Sequence, residues 1–128
     1  MTTITKDVLY IDGSIADLTY FVRVCRSEPT IHVTTTESIV KGIQLIGKVH
    51  FDLVLIDLKT PGMDGLALAK LILDEYPQLH GRLAIVTGTS PNPAKINSIQ
   101  SDGLAILFKP LTTQVVKRAL LPASTTSN

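Results

Sequence analysis

The segment Phe51-Asp-Leu-Val-Leu-Ile-Asp57-Leu-Lys-Thr-Pro61-Gly-Met-Asp64-Gly65 decides how this chain is read. Its aliphatic run, Leu53-Val-Leu-Ile56, is strand-length and lacks apolar/polar alternation, the pattern of a strand covered on both faces of a parallel sheet. Asp57 follows at once, so the strand ends on a carboxylate. Pro61-Gly62 then marks a turn. Asp64 stands as an N-cap before the helical stripe Leu66, Leu68, Ala69, Ile72 and Leu73, which closes before Pro77. Strand, acidic turn and helix in this order make a βα unit with polar chemistry at the carboxyl end of its strand, where open α/β sheets gather ligands.

The same change of period recurs on both sides. Val8-Leu-Tyr-Ile11, Leu83-Ala-Ile-Val86 and Leu104-Ala-Ile-Leu-Phe108 read as further buried strands, and the β-branched, mixed-polarity run Ile31-His-Val-Thr-Thr35 reads as an edge strand. Helical stripes fill the gaps: Ile15, Leu18, Phe21, Val22 and Cys25, then Ile39, Ile43, Leu45, Ile46 and Val49. Pro91-Asn-Pro93 opens a helix over residues 94–101 with a thin apolar face, Ile96 and Ile99. A last helix from Thr112 through Leu120 uses Val115, Val116, Ala119 and Leu120 and stops at Pro122. Five βα units predict an α/β fold, a doubly wound five-stranded parallel sheet with helices on both faces.

The 128 residues, 45% hydrophobic and 18% charged, suit one domain, read as residues 1–121 with 122–128 a polar tail or the start of a linker. Mean hydropathy of +0.29 with 5% aromatic residues implies an aliphatic core. Twelve Lys and Arg against eleven Asp and Glu leave a charge of +1, which provides no bulk field toward nucleic acid or an anionic membrane. A single cysteine, Cys25, excludes an internal disulfide, and His32, His50 and His80 lack companions at zinc-ligand spacing. The N-terminus has no apolar signal region, and no apolar run approaches the ~18 residues of a membrane helix, so a cytoplasmic location is expected.

The strand ends carry the chemistry. Asp12, Asp57, Thr87 and Lys109, the last followed by Pro110, should meet at one edge of the sheet. Close carboxylates repel unless a cation lies between them, and hard oxygen ligands with open water positions suit Mg²⁺. Lysine and threonine could then hold phosphoryl oxygens. The plainer reading makes Asp57 a turn acid and Asp12-Gly-Ser14 an ordinary turn with Ser14 as a cap; it leaves the convergence of the other strand-end residues unexplained.

The central segment resembles the phosphoacceptor segment of two-component response-regulator receiver domains, and the likeness extends over roughly residues 6–121. It includes Asp12, Thr87 and Phe108-Lys109-Pro110 in the family's order. The resemblance implies the flavodoxin-like strand order 2-1-3-4-5. It further implies that Asp57 takes a phosphoryl group from a histidine kinase or phosphotransfer protein. Asp12, Asp57 and the main-chain carbonyl of Lys59 would hold Mg²⁺, while Thr87 and Lys109 would contact the phosphoryl oxygens. The surface of the fourth helix, fifth strand and fifth helix would change on phosphorylation and could serve a homodimer. No independent substrate turnover is implied.

Three positions, Gly13, Ile106 and Lys59, depart from the family pattern. The family has a second acid after the first strand where this chain has Gly13, so a metal ligand is missing and Mg²⁺ affinity should fall roughly tenfold to several hundredfold. On that reasoning Gly13→Asp should restore the ligand. Ile106 replaces a customary aromatic switch residue, and Phe108 lies on the same face at a different depth. The ammonium of Lys59 has two readings, leaning into the acidic pocket or extending into solvent. Gly13 and Ile106 support a second function, a pseudo-receiver that acts as a phosphorylation-independent interaction module, and the intact Asp57, Thr87 and Lys109 oppose it. An aspartyl phosphohydrolase is disfavoured because position 59 is Lys, where such enzymes carry a second acid.

Overall fold

A computed structural model describes residues 4–121; Pro122 and the polar tail lie outside the described residues. The strands are β1 (Lys6–Ile11), β2 (Ile31–Thr36), β3 (Leu53–Asp57), β4 (Leu83–Thr87) and β5 (Ala105–Phe108). They alternate with α1 (Ile15–Cys25), α2 (Ile39–Lys48), α3 (Gly65–Glu75), α4 (Pro93–Ser101) and α5 (Thr113–Leu120), with a short 3₁₀ turn at Pro77–Leu79. The sheet is parallel with order β2-β1-β3-β4-β5. That is the flavodoxin-like order expected from the sequence.

Each α-helix begins on a residue whose side-chain oxygen accepts a backbone N–H in the first turn: Ser14, Ser38, Asp64, Asn92 and Thr112. Such caps contribute about 1 kcal/mol apiece and set where each helix starts. The Asn92 cap starts α4 at Pro93, a favoured first helical position because proline's fixed φ suits the helix.

Although the strands read as unbroken aliphatic runs, alternation still sorts their side chains. Leu9, Ile11, Val54, Ile56, Leu83 and Ile85 pack with α2, α3 and α4; Val8, Tyr10, Leu53, Leu55, Ala84 and Val86 pack with α1 and α5. Ile11, Ile56 and Ile85 are shielded completely, so the central strands sit in a dry, two-sided core.

Three expectations are corrected. β5 is not a covered strand: it forms the second edge of the sheet, with Ala105 and Phe108 exposed. Ile15 is 61% exposed because it opens α1 above the end of the sheet, and Val49 is 44% exposed because it lies beyond α2 in extended conformation.

Candidate functional site

The parity that divides the core also builds the site. Asp12 continues the row of Val8 and Tyr10, Asp57 that of Leu53 and Leu55, and Lys109 follows Leu107, so all three approach from the α1/α5 face. The ammonium of Lys109 lies 3.0 Å from Asp12 Oδ2 and 3.1 Å from Asp57 Oδ1. It also lies 2.7 Å from Asp17 Oδ2 on the first turn of α1. Asp12 and Asp57 are buried, at 1% and 7% exposure. Main-chain bonds fix the strand ends: Asp12 N–H donates to the Thr36 carbonyl at 3.1 Å, and Lys109 N–H donates to the Thr87 carbonyl at 2.9 Å.

Neutral donors surround Asp12 as well. The Tyr10 hydroxyl donates to Oδ2 at 2.5 Å and the Ser14 N–H to Oδ1 at 2.8 Å. Tyr10 is buried against Phe21 in an edge-to-face contact, 5.3 Å between ring centres, so its hydroxyl is held in place. Burial, the bond to Asp12 and nearby carboxylates push its phenol well above its usual range.

Burial raises the pKa of Asp57, the negative charge of Asp12 adds to that, and the bond from Lys109 opposes both. Burial alone would lower the Lys109 ammonium, but its bonds to Asp17, Asp12 and Asp57 outweigh it and raise the value. One ammonium thus serves as the counter-ion for three carboxylates.

The loop after Asp57 is shaped by close approach. Thr60 Oγ1 donates to the Asp57 carbonyl at 2.6 Å, and the Gly65 N–H donates to the Leu58 carbonyl at 2.8 Å. A Cβ on Gly65 would stand 2.4 Å from the Asp57 carbonyl oxygen, so only glycine admits this return of the chain. The Lys59 side chain is exposed, while its main-chain N–H serves the Asp57 carboxylate. The solvent reading of Lys59 therefore holds, and Lys109 is the cation inside the pocket.

Thr87 ends β4 with the opposite parity to Asp57. Its hydroxyl donates to the Thr89 carbonyl at 2.7 Å and accepts the Thr89 N–H, which turns it into the β4–α4 loop. Ile106 is half-buried beside Ile85 and against the α2–α4 layer, whereas Phe108 is 49% exposed. Sequence reasoning missed Asp17 and Tyr10. The signal for Asp17 was an acid three residues after the Ser14 cap, at the helix end nearest the strand termini.

Among the described residues, no group of three or more His, Cys, Asp or Glu side chains stands at metal-binding geometry. Gly13 supplies none, and a Cβ there would stand 2.4 Å from Pro61 Cδ and 2.6 Å from Pro61 Cγ. What remains is a pair of buried carboxylates bridged by an ammonium. That donor set fits a divalent cation that keeps much of its water, since Mg²⁺ commonly binds through one or two carboxylates plus phosphate oxygens.

With this geometry in view, the relatives are informative. The response regulator receiver domain family model matches residues 8–121, and the chain belongs to that family. A receiver domain protein (CheY-like) from Methanospirillum hungatei JF-1 superposes with a TM-score of 0.76 at 24% identity, covering 91% of this chain and 94% of the other. The receiver domain of the sensor histidine kinase PA1611 from Pseudomonas aeruginosa PAO1, which holds a magnesium ion in its active-site cleft, superposes with a TM-score of 0.74 at 19% identity, covering 91% and 94%. The DNA-binding transcriptional regulator NtrC from Proteus hauseri is 36% identical over 73 residues, 54% of this chain and 15% of NtrC. The chain thus matches only a small part of that regulator's length. Among the described residues, no helix is long and apolar enough to cross a membrane.

Proposed function

We propose that this chain is a phosphoacceptor switch of two-component signalling, in which Asp57 takes a phosphoryl group from a histidine kinase or phosphotransfer protein in the cytoplasm. The observation that carries this reading is the placement of Lys109 between Asp12 and Asp57 at a buried strand end, within a chain of the receiver family. A carboxylate oxygen of Asp57 attacks phosphorus as the donor's P–N bond breaks, leaving an acyl phosphate on Asp57 and the electron pair on the departing nitrogen. Lys109 faces the charge that gathers on the equatorial oxygens. Asp12, Asp57 and the Lys59 carbonyl are the groups that would hold Mg²⁺, which when bound supplies further neutralisation there.

In this reading Thr87 leaves its bonds to Thr89 and turns toward the phosphoryl group, biasing the α4–β5–α5 surface, where self-association would occur. The protein turns over no separate substrate. Intact-mass measurement after treatment with phosphoramidate or acetyl phosphate tests the assignment. One added phosphate that disappears in Asp57→Asn is expected, and persistent labelling of that variant overturns it. The second reading, a pseudo-receiver acting by interaction alone, is favoured by the closed space at Gly13 and by Ile106. Failure of the wild type to accept phosphate from either donor would establish it over the first.

A further inference from the structure

We propose that Asp17 is a positioning residue of this site: it holds the Lys109 ammonium beside Asp57 and keeps it there when a divalent cation or a phosphoryl group engages the oxygens of Asp12 and Asp57. The proposal rests on the phosphoacceptor reading. Of the three carboxylates around Lys109, Asp17 is the nearest, at 2.7 Å against 3.0 and 3.1 Å. Its backbone is tied to the site by a relay, with Asp12 Oδ1 accepting the Ser14 N–H at 2.8 Å and Ser14 Oγ accepting the Asp17 N–H at 3.2 Å. The Asp17–Lys109 bond spans 92 residues of sequence, bracing the start of α1 against the segment after β5.

A lysine stem is flexible and loses rotamer freedom when its ammonium is held, and the Lys109 side chain is only 21% exposed. Asp12 and Asp57 would hold a divalent cation through the same oxygens that now face Lys109, so the ammonium would then lose two of its counter-ions and be repelled by the bound charge. Without a further partner, Lys109 would swing toward solvent. Asp17 is 42% exposed on the outer side of the cluster, so it remains as an anchor when the inner pair is occupied. Transfer to Asp57 needs positive charge aimed at the phosphoryl oxygens, so losing this anchor should slow the chemistry while leaving the fold intact.

The test compares wild type, Asp17→Asn and Asp17→Glu in two measurements. In the first, the rate of phosphorylation by phosphoramidate is followed across a Mg²⁺ titration. Asp17→Asn should be slower by about tenfold to a hundredfold, with the Mg²⁺ concentration for half-maximal rate changed less than about threefold, and Asp17→Glu should recover most of the loss. In the second, Nζ–Hζ correlations of ¹⁵N-lysine are recorded without Mg²⁺, the Lys109 signal being identified by its disappearance in Lys109→Ala. That signal should be sharp in wild type and Asp17→Glu and broadened away in Asp17→Asn. A wild-type rate in Asp17→Asn, a change confined to a tenfold or larger rise in the Mg²⁺ requirement, or an unaltered Nζ signal would each overturn the proposal. If wild type accepts no phosphate at all, the phosphoacceptor reading fails instead, and the Nζ measurement still decides whether Asp17 holds Lys109.

Discussion

The ring of Pro61 lies against Gly13 so closely that any side chain at position 13 would meet it, with a Cβ 2.4 Å from Pro61 Cδ. The missing acid and the phosphoacceptor loop are therefore coupled. Replacing Gly13 is not a matter of restoring one ligand, because the proline ring, unlike the tip of a long side chain, cannot swing aside without moving its backbone.

Gly13→Asp is accordingly expected to destabilise the protein by about 1–3 kcal/mol, the usual cost of overpacking, with little gain in Mg²⁺ affinity. Adding Pro61→Ala should recover much of the stability and only then expose any benefit of the new carboxylate. Thermal melts of both variants across a Mg²⁺ titration check this; tighter Mg²⁺ binding by the single variant at undiminished Tm would contradict it.

Asp57→Asn should raise stability at neutral pH. The folded-state pKa of Asp57 is raised, so the folded state binds its proton more tightly than the unfolded state does. Wild-type stability therefore falls as pH rises from about the ordinary value of 3.8 through the folded value. The asparagine variant escapes that loss. Its advantage should shrink as pH is lowered toward 3.8, a trend read from urea denaturation of the two proteins at several pH values.

Tyr10→Phe removes the hydroxyl donor to Asp12 and leaves the buried ring in place. Because the acceptor is a buried carboxylate, the cost should be about 1–3 kcal/mol, seen as a Tm lower by roughly 4 °C or more. An unchanged Tm would mean that the bond adds nothing beyond what Ser14 and Lys109 already supply to Asp12.

Cys25 sits on the buried face of α1, where burial raises its thiol to about 11. At pH 8 the native protein should react with a disulfide reagent orders of magnitude more slowly than the urea-unfolded chain. Fast labelling of the native protein would show that α1 opens locally.

Much of this was legible in the sequence. Asp57 was visible as the acid ending an aliphatic run, and Asp64 and Ser14 as caps, because each signal lies within a few residues of its effect. The edge position of β5 followed from the strand order that the resemblance implied, but the exposure of Ala105 and Phe108 was not legible in the run itself, since Leu104-Ala-Ile-Leu-Phe108 reads like a central strand covered on both faces. Thr87 was legible as a strand-end hydroxyl, but its bonds to Thr89 depend on the path of the loop beyond it.

By itself the sequence determined the alternation of strands and helices, the helix starts and the set of polar groups at the strand ends, because periodicity, capping and turn chemistry act over neighbouring residues. That Asp12, Asp57 and Lys109 meet was expected from the strand ends; only the tertiary structure decided how they meet, that Asp17 joins them and that Thr87 turns to Thr89 instead. The ammonium of Lys109 joins Asp12, Asp17 and Asp57 from three different segments, and Pro61 fills the space beside Gly13. Both contacts depend on the lateral order and register of parallel strands, and on how loops cross their ends. Packing between distant segments fixes these, and no local pattern of residues encodes it.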